Sequence, residues 1–525
     1  MSKQNEPYFE VPASPAWEGW FSTGSWAGGV TTPYERRCYT VARMRAVLLC
    51  AQAALLLGAC AAPPTPPSPR PNFVYIMTDD HTVQMMSAYG PSRASTPNLD
   101  RIAQEGALFR NAFVTNSLCA PSRATLLTGK YSHINGQRSN QDTFDGSQQT
   151  FPKLLRQAGY QTALVGKWHL KSEPTGFDYW KVLPGQGAYH NPSFIEMGQR
   201  VEHEGYVTDL ITDFAIDWVR GRDPEKPFAL LYHHKAPHGL WQPAKRHEDL
   251  FSDEQIPQPA TFDDDLSGRA EAVQASNTRL VPELLLRWNR RGNLGKLHPP
   301  EELQGDELND WMYQQYVKDY IRVMVAVDEN VGRFLDFLDE EGLVENTVVI
   351  YTSDNGMFVG DHFMFDKRLM YEEPLRLPLV MRYPKMIQPG TEVDGFALNV
   401  DYAPTILDLA GVEVPADMQG ASLRPLFGGA KPADWRRSMY YHYWEYPNSH
   451  EIVPHYGVRT ERYKLIHHYD TRYGGPAGWE LIDLQEDPEE RRNFYDDPEY
   501  AGVIPQLQAE LEQLRNELQA PPLAR

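Results

Sequence analysis

The 525-residue chain predicts an α/β fold in which helices cover a mainly parallel sheet, followed by a smaller antiparallel sheet. Three observations carry this expectation. From Asn72 onward, short continuous apolar runs alternate with amphipathic stretches at helical spacing. Past residue 428 the texture changes to closely spaced strand-like runs. The apolar fraction of 41% is that of a globular chain with a large core.

Asn72–Thr78 (NFVYIMT) reads as a buried strand, as do Thr162–Val165, Phe228–Tyr232 and Val348–Thr352. Between them, Asp209–Val219 sets Leu210, Ile211, Phe214 and Trp218 on one helical face. A longer helix, about Tyr316–Leu338, carries Ile321, Met324, Val325, Phe334 and Leu338. Asp401 to Leu409 reads as a capped helix with Gly411 past its end. Ser252–Asn309, rich in Asp, Gln, Pro and Arg, breaks the rhythm. It is either an insertion that shapes a cleft over the sheet or a solvated loop. Met439–Tyr446, Tyr456–Thr460, Lys464–Tyr469 and Trp479–Leu484 are expected to form the antiparallel sheet, followed by a polar helix at Ile504–Leu518. The expected divisions are a main domain at 72–428 and a subdomain at 429–525. No internal repeat is present.

The N-terminal region reads as an address. Met44-Arg45 precedes the apolar run Ala46–Leu57, which is too short to span a bilayer and has the form of a signal-peptide core. Leu57-Gly58-Ala59-Cys60 resembles a bacterial lipoprotein box, which makes Cys60 the expected lipidated N-terminus and 44–60 the signal. An ordinary secretory signal cut near Ala59 or Ala62 is the alternative. Segment 1–43 is expected to lie upstream of a true start at Met44, with Arg36-Arg37 in an imperfect twin-arginine signal as the other reading. The Pro-rich 61–71 is an extended tether. The expected location is the bacterial periplasm or cell surface, anchored through Cys60.

Net charge is −20, which argues against nucleic-acid binding. Any anionic substrate would need local cations, or a bound metal, to outweigh that charge.

In open α/β sheets, functional groups gather at the carboxyl ends of parallel strands. Four of the expected strands end in polar clusters. Asp79-Asp80 alone would suit a turn or a cap, but Ser353-Asp354-Asn355-Gly356 follows a second strand, and together they offer the hard oxygens that Ca²⁺ prefers. Gly166-Lys167-Trp168-His169 follows a third strand, and His233-His234-Lys235-Ala236-Pro237-His238 a fourth. The close histidines lack a cysteine partner for zinc. Cys119 is expected to be the only cysteine left after processing, since Cys38, Cys50 and Cys60 lie at or before the signal. Pro121 suits a first helical turn, so Cys119 is expected just before a helix N-terminus with Arg123 one turn on, a setting for an anion.

Cys119-Ala120-Pro121-Ser122-Arg123, continued by Thr128-Gly129-Lys130, resembles the signature of the type I sulfatases. The resemblance implies an alkaline-phosphatase-like sandwich and conversion of Cys119 to formylglycine by a maturation enzyme. It implies Ca²⁺ held by Asp79, Asp80, Asp354, Asn355 and the converted Cys119. It further implies that the hydrated aldehyde attacks sulfur after giving a proton to Asp354. Arg123, Lys167 and Lys367 (the last in Asp366-Lys367-Arg368) would offset charge on the sulfate and the diol. His238, in preference to His234, would protonate the departing alcohol, and His169 would deprotonate the second hydroxyl to expel sulfate. Lys130 would support from its helix end.

Tyr232–His238 with Gln242-Pro243, and Gly185-Gln186-Gly187-Ala188-Tyr189-His190-Asn191-Pro192, resemble N-acetylglucosamine-6-sulfatases and related polysaccharide sulfatases. A sulfated glycan is the implied substrate, and Trp241, Tyr189 and Tyr371 are either ring-stacking or packing residues. The competing readings are a phosphate or phosphonate ester hydrolase of the same superfamily and a non-catalytic, lipid-anchored glycan-binding protein. For the anchor, Cys60→Ser is expected to move the protein from the membrane fraction to the soluble or unprocessed fraction. Equal membrane retention of both proteins would contradict lipidation.

Overall fold

Alternation along single strands builds two cores at once. In the strand Asn72–Thr78, Phe73, Tyr75 and Met77 enter one hydrophobic cluster while Val74 and Ile76 enter the other. A strand buried on both faces belongs at the centre of a sheet, which is where this one lies. The structure, a computed structural model, describes residues 70–290, 296–469 and 475–522. Segment 1–43, the signal-like 44–60 with Cys60, and the tether up to residue 69 lie outside the described residues.

Asn72–Thr78 pairs in parallel with Phe228–His233 on one side and Thr347–Ser353 on the other. Gln161–Lys167 continues in parallel from Phe228–His233 and is followed by Tyr179–Leu183. Leu379–Arg382 runs antiparallel beyond Thr347–Ser353, and the complete sheet has ten strands. It is therefore mixed but mainly parallel at its centre. Pro97–Gln104, Val207–Arg220 and the 36-residue helix Gly305–Glu340 supply the cluster on one face. Cys119–Thr128, Phe151–Gln157 and Tyr402–Leu409 supply the other. Among the described residues no helix is long and apolar enough to cross a membrane.

The four-stranded antiparallel sheet Ser438–Tyr443, His455–Thr460, Tyr463–His468 and Gly478–Asp483 follows, with the helix Ile504–Glu517 packed on it. Its strands contribute Tyr440, Tyr456, Val458 and Leu465 to the second of those cores. The long helix begins at Gly305, ahead of the expected Tyr316: Asp306 and Glu307 suit the positive end of a helix, and Met312 and Tyr313 already pack into the core. Asp306, Glu307 and Asn309 break the apolar stripe that would mark these turns in the sequence. The stretch before it is no solvated loop. Ile256, Leu266, Val273, Leu280 and Trp288 are buried, and Leu285–Arg290 is helical.

Buried histidines give this fold a defined response to acid. Burial lowers His81 to about 4 and His234, His450 and His455 to about 3. Unfolding returns each to its ordinary value near 6.5, so the unfolded chain binds more protons at mildly acid pH. Burial acts in the opposite sense on Asp80, raised to about 6, and Glu373, raised to about 7, but these two are outnumbered. Stability is thus full above about pH 6.5 and is lost as pH falls toward 4, at up to about 1.4 kcal/mol per pH unit for each uncompensated imidazole. The thermal midpoint is expected to drop between pH 7 and pH 5. A flat profile would contradict this balance.

Candidate functional site

Four strand ends lie side by side at one edge of the sheet because their registers match: Met77 pairs with both His233 and Thr352, and Gly166 pairs with His233. Gly166 has φ +105°, and a Cβ there would come 1.8 Å from the His233 carbonyl oxygen, so only glycine permits this approach. Lys167 and His169 therefore emerge directly beside the ends of the neighbouring strands. Asp80 (φ +74°), His169 (φ +58°), Asp366 (φ +76°) and Arg368 (φ +86°) all adopt left-handed backbone, a cost of roughly 1–3 kcal/mol each. Such strain clusters where the surroundings force a side chain to face a site.

Cys119 is the first residue of the helix Cys119–Thr128, one position further in than expected, with Leu118 at the cap. It is fully buried. Burial, together with Asp354 and Asp80 and opposed by Lys367, pushes its thiol well above the usual range. As encoded, this side chain is a neutral thiol, neither a thiolate nucleophile nor a ligand for a hard cation.

Around it, three buried cations meet three buried carboxylates. Arg123 donates from Nε to Asp354 Oδ2 at 2.9 Å and from Nη1 to the Lys167 carbonyl at 2.8 Å. Lys167 contacts Asp79, and Lys367 reaches both oxygens of Asp80 at 2.5 Å. Asn355 Nδ2 donates to Asp80 Oδ1 at 2.5 Å, and the Asp80 backbone N–H donates to Asp354 Oδ1 at 3.1 Å. Although burial opposes it, Arg123, Lys167 and Lys367 hold Asp354 below the usual carboxylate range. Likewise Asp80 raises Lys367 above the ordinary lysine value against the effect of burial.

One ligand atom from each of Asp79, Asp80, Cys119 and Asp354 lies within 4.8 Å of the others. Asp79 Oδ1 and Asn355 Oδ1 are buried acceptors without a hydrogen-bond partner. Orphaned hard oxygens beside a carboxylate cluster fit a hard divalent cation such as Ca²⁺.

His238 stands at the same point, its Nε2 3.9 Å from Asp80 Oδ2. Its Nδ1 donates to the Gly239 carbonyl at 2.6 Å, so a proton on Nε2 makes the ring a cation. Burial, Lys167 and Lys367 oppose that charge. His234 instead packs against Tyr232 at 4.5 Å between centroids, away from this cluster. Lys130 pairs with Asp417 at the surface.

The chain matches the family model described as "Sulfatase" over residues 71–412 and that of "N-sulphoglucosamine sulphohydrolase, C-terminal" over 360–517. It is 47% identical over 511 residues, 90% of each chain, to an N-acetylglucosamine-6-O-sulfatase of Bacteroides thetaiotaomicron. The chain belongs to the sulfatase family. A human N-acetylglucosamine-6-sulfatase is 27% identical over 71% of this chain and 67% of its own. A solved structure bound to its substrate D-glucosamine-2-N,6-O-disulfate superposes with TM-score 0.81 at 46% identity, covering 86% of this chain and 98% of that one. A 2-O GAG sulfatase, 24% identical with TM-score 0.68, shares the fold.

The cleft of this sulfatase, about 200 Å³, opens over Asp80, His238 and Lys367. Asn140, Gln186, Arg287, Arg368 and His450 also line it, none of them expected as site residues. Leu284 and Arg287 come from the insertion, which therefore does shape the cleft. His450 comes from the connection between two strands of the small sheet, and no sequence signal pointed to it. Of the three aromatic candidates, Trp241 borders the cleft, but its ring packs on Tyr316 and Trp288. Tyr189 and Tyr371 are packing residues, their hydroxyls bonded to the His238 carbonyl and to Glu480.

Removing one partner of a buried pair leaves an uncompensated charge. Arg123→Met is expected to destabilise the sulfatase by roughly 3–5 kcal/mol, read as a lower urea midpoint at unchanged slope. A midpoint equal to that of the wild type would mean that Asp354 does not depend on this guanidinium.

Proposed function

We propose that this sulfatase removes the 6-O-sulfate of N-acetylglucosamine or glucosamine residues in a glycosaminoglycan-type glycan, using Ca²⁺ and a formylglycine derived from Cys119. The observation that carries this reading is the meeting of Arg123, Lys167, Lys367 and His238 with the oxygen cluster at Cys119, with His169 joined to Lys167 through Gln186, in a chain 47% identical to an N-acetylglucosamine-6-O-sulfatase. The inertness of the buried thiol supports the conversion, because an oxygen-bearing side chain suits both nucleophile and hard-cation ligand at this position.

Asp79, Asp80, Asp354 and Asn355 would hold the cation with the converted Cys119. When bound, the cation and the hydrated aldehyde supply an acidified oxygen nucleophile. The chain's own residues do the rest. Lys167 and Lys367, already at the carboxylate cluster, offset charge on the sulfate oxygens, and Arg123 is held rigid by its bonds to Asp354 and the Lys167 carbonyl. The charge balance favours an anion only with the cation bound, since three side-chain cations face three carboxylates. His238 offers Nε2 to the leaving oxygen, and the negative sulfate beside it favours the protonated ring that donation requires. Burial, Lys167 and Arg123 lower His169 to about 2, so the ring rests neutral with a free lone pair, and it gains basicity for proton acceptance only from negative charge on the bound sulfate ester. Asp354, with Arg123 on Oδ2 and a backbone N–H on Oδ1, is a weak base, so its environment favours the ligand role over proton acceptance. Lipidation at Cys60 and a periplasmic or cell-surface location belong to the same proposal, supported by Leu57-Gly58-Ala59-Cys60.

Protein co-produced with a maturation enzyme is expected to release sulfate from N-acetylglucosamine-6-sulfate faster than phosphate from the matched phosphate ester. Its Cys119 peptide should carry an aldehyde in place of the thiol. Lys367→Ala should slow turnover roughly 10²–10³-fold. Asp79→Asn should abolish the rise in thermal midpoint that added calcium gives the wild type. Faster phosphate release, or full activity from intact thiol, would overturn the proposal.

A further inference from the structure

Gln186 belongs to the Gly185-Gln186-Gly187 turn after the strand Tyr179–Leu183, a motif to which the mechanism above gives no role. Both glycines have left-handed backbone, φ +58° and +68°, and a Cβ on Gly187 would press within 2.8 Å of Leu183. The turn is thereby curled so that Gln186 enters the wall of the cleft. Its amide bridges two proposed catalytic residues. Oε1 lies 2.5 Å from Lys167 Nζ, and Nε2 lies 3.1 Å from His169 Nε2.

The pairing of Lys167 with Asp79 gives these bonds their direction. Burial lowers the Lys167 pKa, but against a carboxylate the side chain is an ammonium with only donors, so the amide oxygen faces Lys167 and the amide N–H₂ faces His169. An amide N–H can bond an imidazole nitrogen only if that nitrogen carries its lone pair. His169 Nε2 is therefore unprotonated, and the ring proton sits on Nδ1. Among the described residues Nδ1 has no hydrogen-bond partner, so nothing on the far side of the ring selects the tautomer. Gln186 does that alone.

We propose that Gln186 is a positioning residue: anchored by Lys167, it sets the tautomer and aim of His169 so that Nε2, turned toward the Gln186 wall of the cleft, is the nitrogen that accepts a proton. This rests on the catalytic reading of Lys167 and His169 given above. An imidazole nitrogen has one lone pair, so a hydroxyl that gives its proton to Nε2 must approach along the line the amide now holds. The amide keeps that line in place and yields it to the hydroxyl.

Three substitutions and one spectrum test this. Gln186→Ala and Gln186→Met remove the donor, with and without loss of volume. Both should lower kcat roughly 10- to 100-fold with KM within about threefold, as for other groups that orient a ligand or base. Gln186→Glu keeps an acceptor for Lys167 but offers His169 only an acceptor, so it demands the Nε2–H tautomer. It should fall below both other variants in kcat despite being nearly isosteric. A space-filling role predicts the reverse order, with Glu the mildest, and that result would overturn the proposal. Losses confined to KM would also overturn it, by making Gln186 a substrate contact or the new charge a repulsion. Independently of turnover, ¹⁵N chemical shifts of His169, assigned by their absence in His169→Asn, should report Nδ1–H in the wild type and Nε2–H in Gln186→Glu. An Nε2–H wild type would refute the tautomer assignment even in fully active enzyme. A wild type with the expected tautomer but no sulfate release would refute the proposed function and the catalytic part of this inference with it.

Discussion

Three cation–carboxylate pairs, Arg123–Asp354, Lys167–Asp79 and Lys367–Asp80, are buried together at the carboxyl edge of the central sheet, and the rest of the molecule is arranged around their cost. Taking an ion from water costs several kcal/mol even after relaxation, and only close pairing offsets it. Close pairing needs rigid mounts. The matched registers of four parallel strands provide them, with the helix Cys119–Thr128 delivering Arg123 from the adjoining face. A chain of net charge −20 thus keeps its cleft locally balanced, and a bound divalent cation would tip that short-range balance toward an anion.

How much of this was legible follows from the range over which each feature is encoded. The strand ends were readable since strand and polar cluster are contiguous, as in NFVYIMT followed by Asp79-Asp80. The first turns of the helix at Gly305 were not, since their stability comes from the 25 residues of packed helix that follow and not from local periodicity. Choosing His238 over His234 drew on resemblance. The physical difference is that His234 turns its ring onto Tyr232, while His238 stands at Asp80. Tyr189 and Tyr371 could serve as sugar platforms in a sequence, and only the fold shows their rings enclosed and their hydroxyls spent.

The cleft wall was the least legible part because it is made at a distance. Arg368 is gripped by Tyr443 and Glu445, each at 2.9 Å, and His450 Nε2 lies 3.4 Å from Asp366 Oδ1. Those partners come from the small sheet and its loop, more than 70 residues downstream of the segment that carries Lys367. No window of sequence contains both halves of such a contact.

The small sheet is consequently part of the site and not an appendage. Tyr441 receives the Ser117 backbone N–H at 3.2 Å and donates its hydroxyl proton to the Arg368 carbonyl at 2.5 Å. One phenol thereby ties the approach to the Cys119 helix to the loop that carries Lys367. Those two segments hold the proposed nucleophile and a proposed sulfate-binding cation, and the phenol adds to their ties at the strand ends, Arg123 to Asp354 and Lys367 to Asp80, and to the bond from Ser117 Oγ to the Pro374 carbonyl at 3.0 Å. A spacing that the chemistry must keep closely is braced here by a two-sided hydrogen bond from a third element, buried where water cannot compete for either end. The central sheet carries cations and carboxylates to one edge, and the sheet that follows it braces the segment bearing Lys367 against the approach to Cys119.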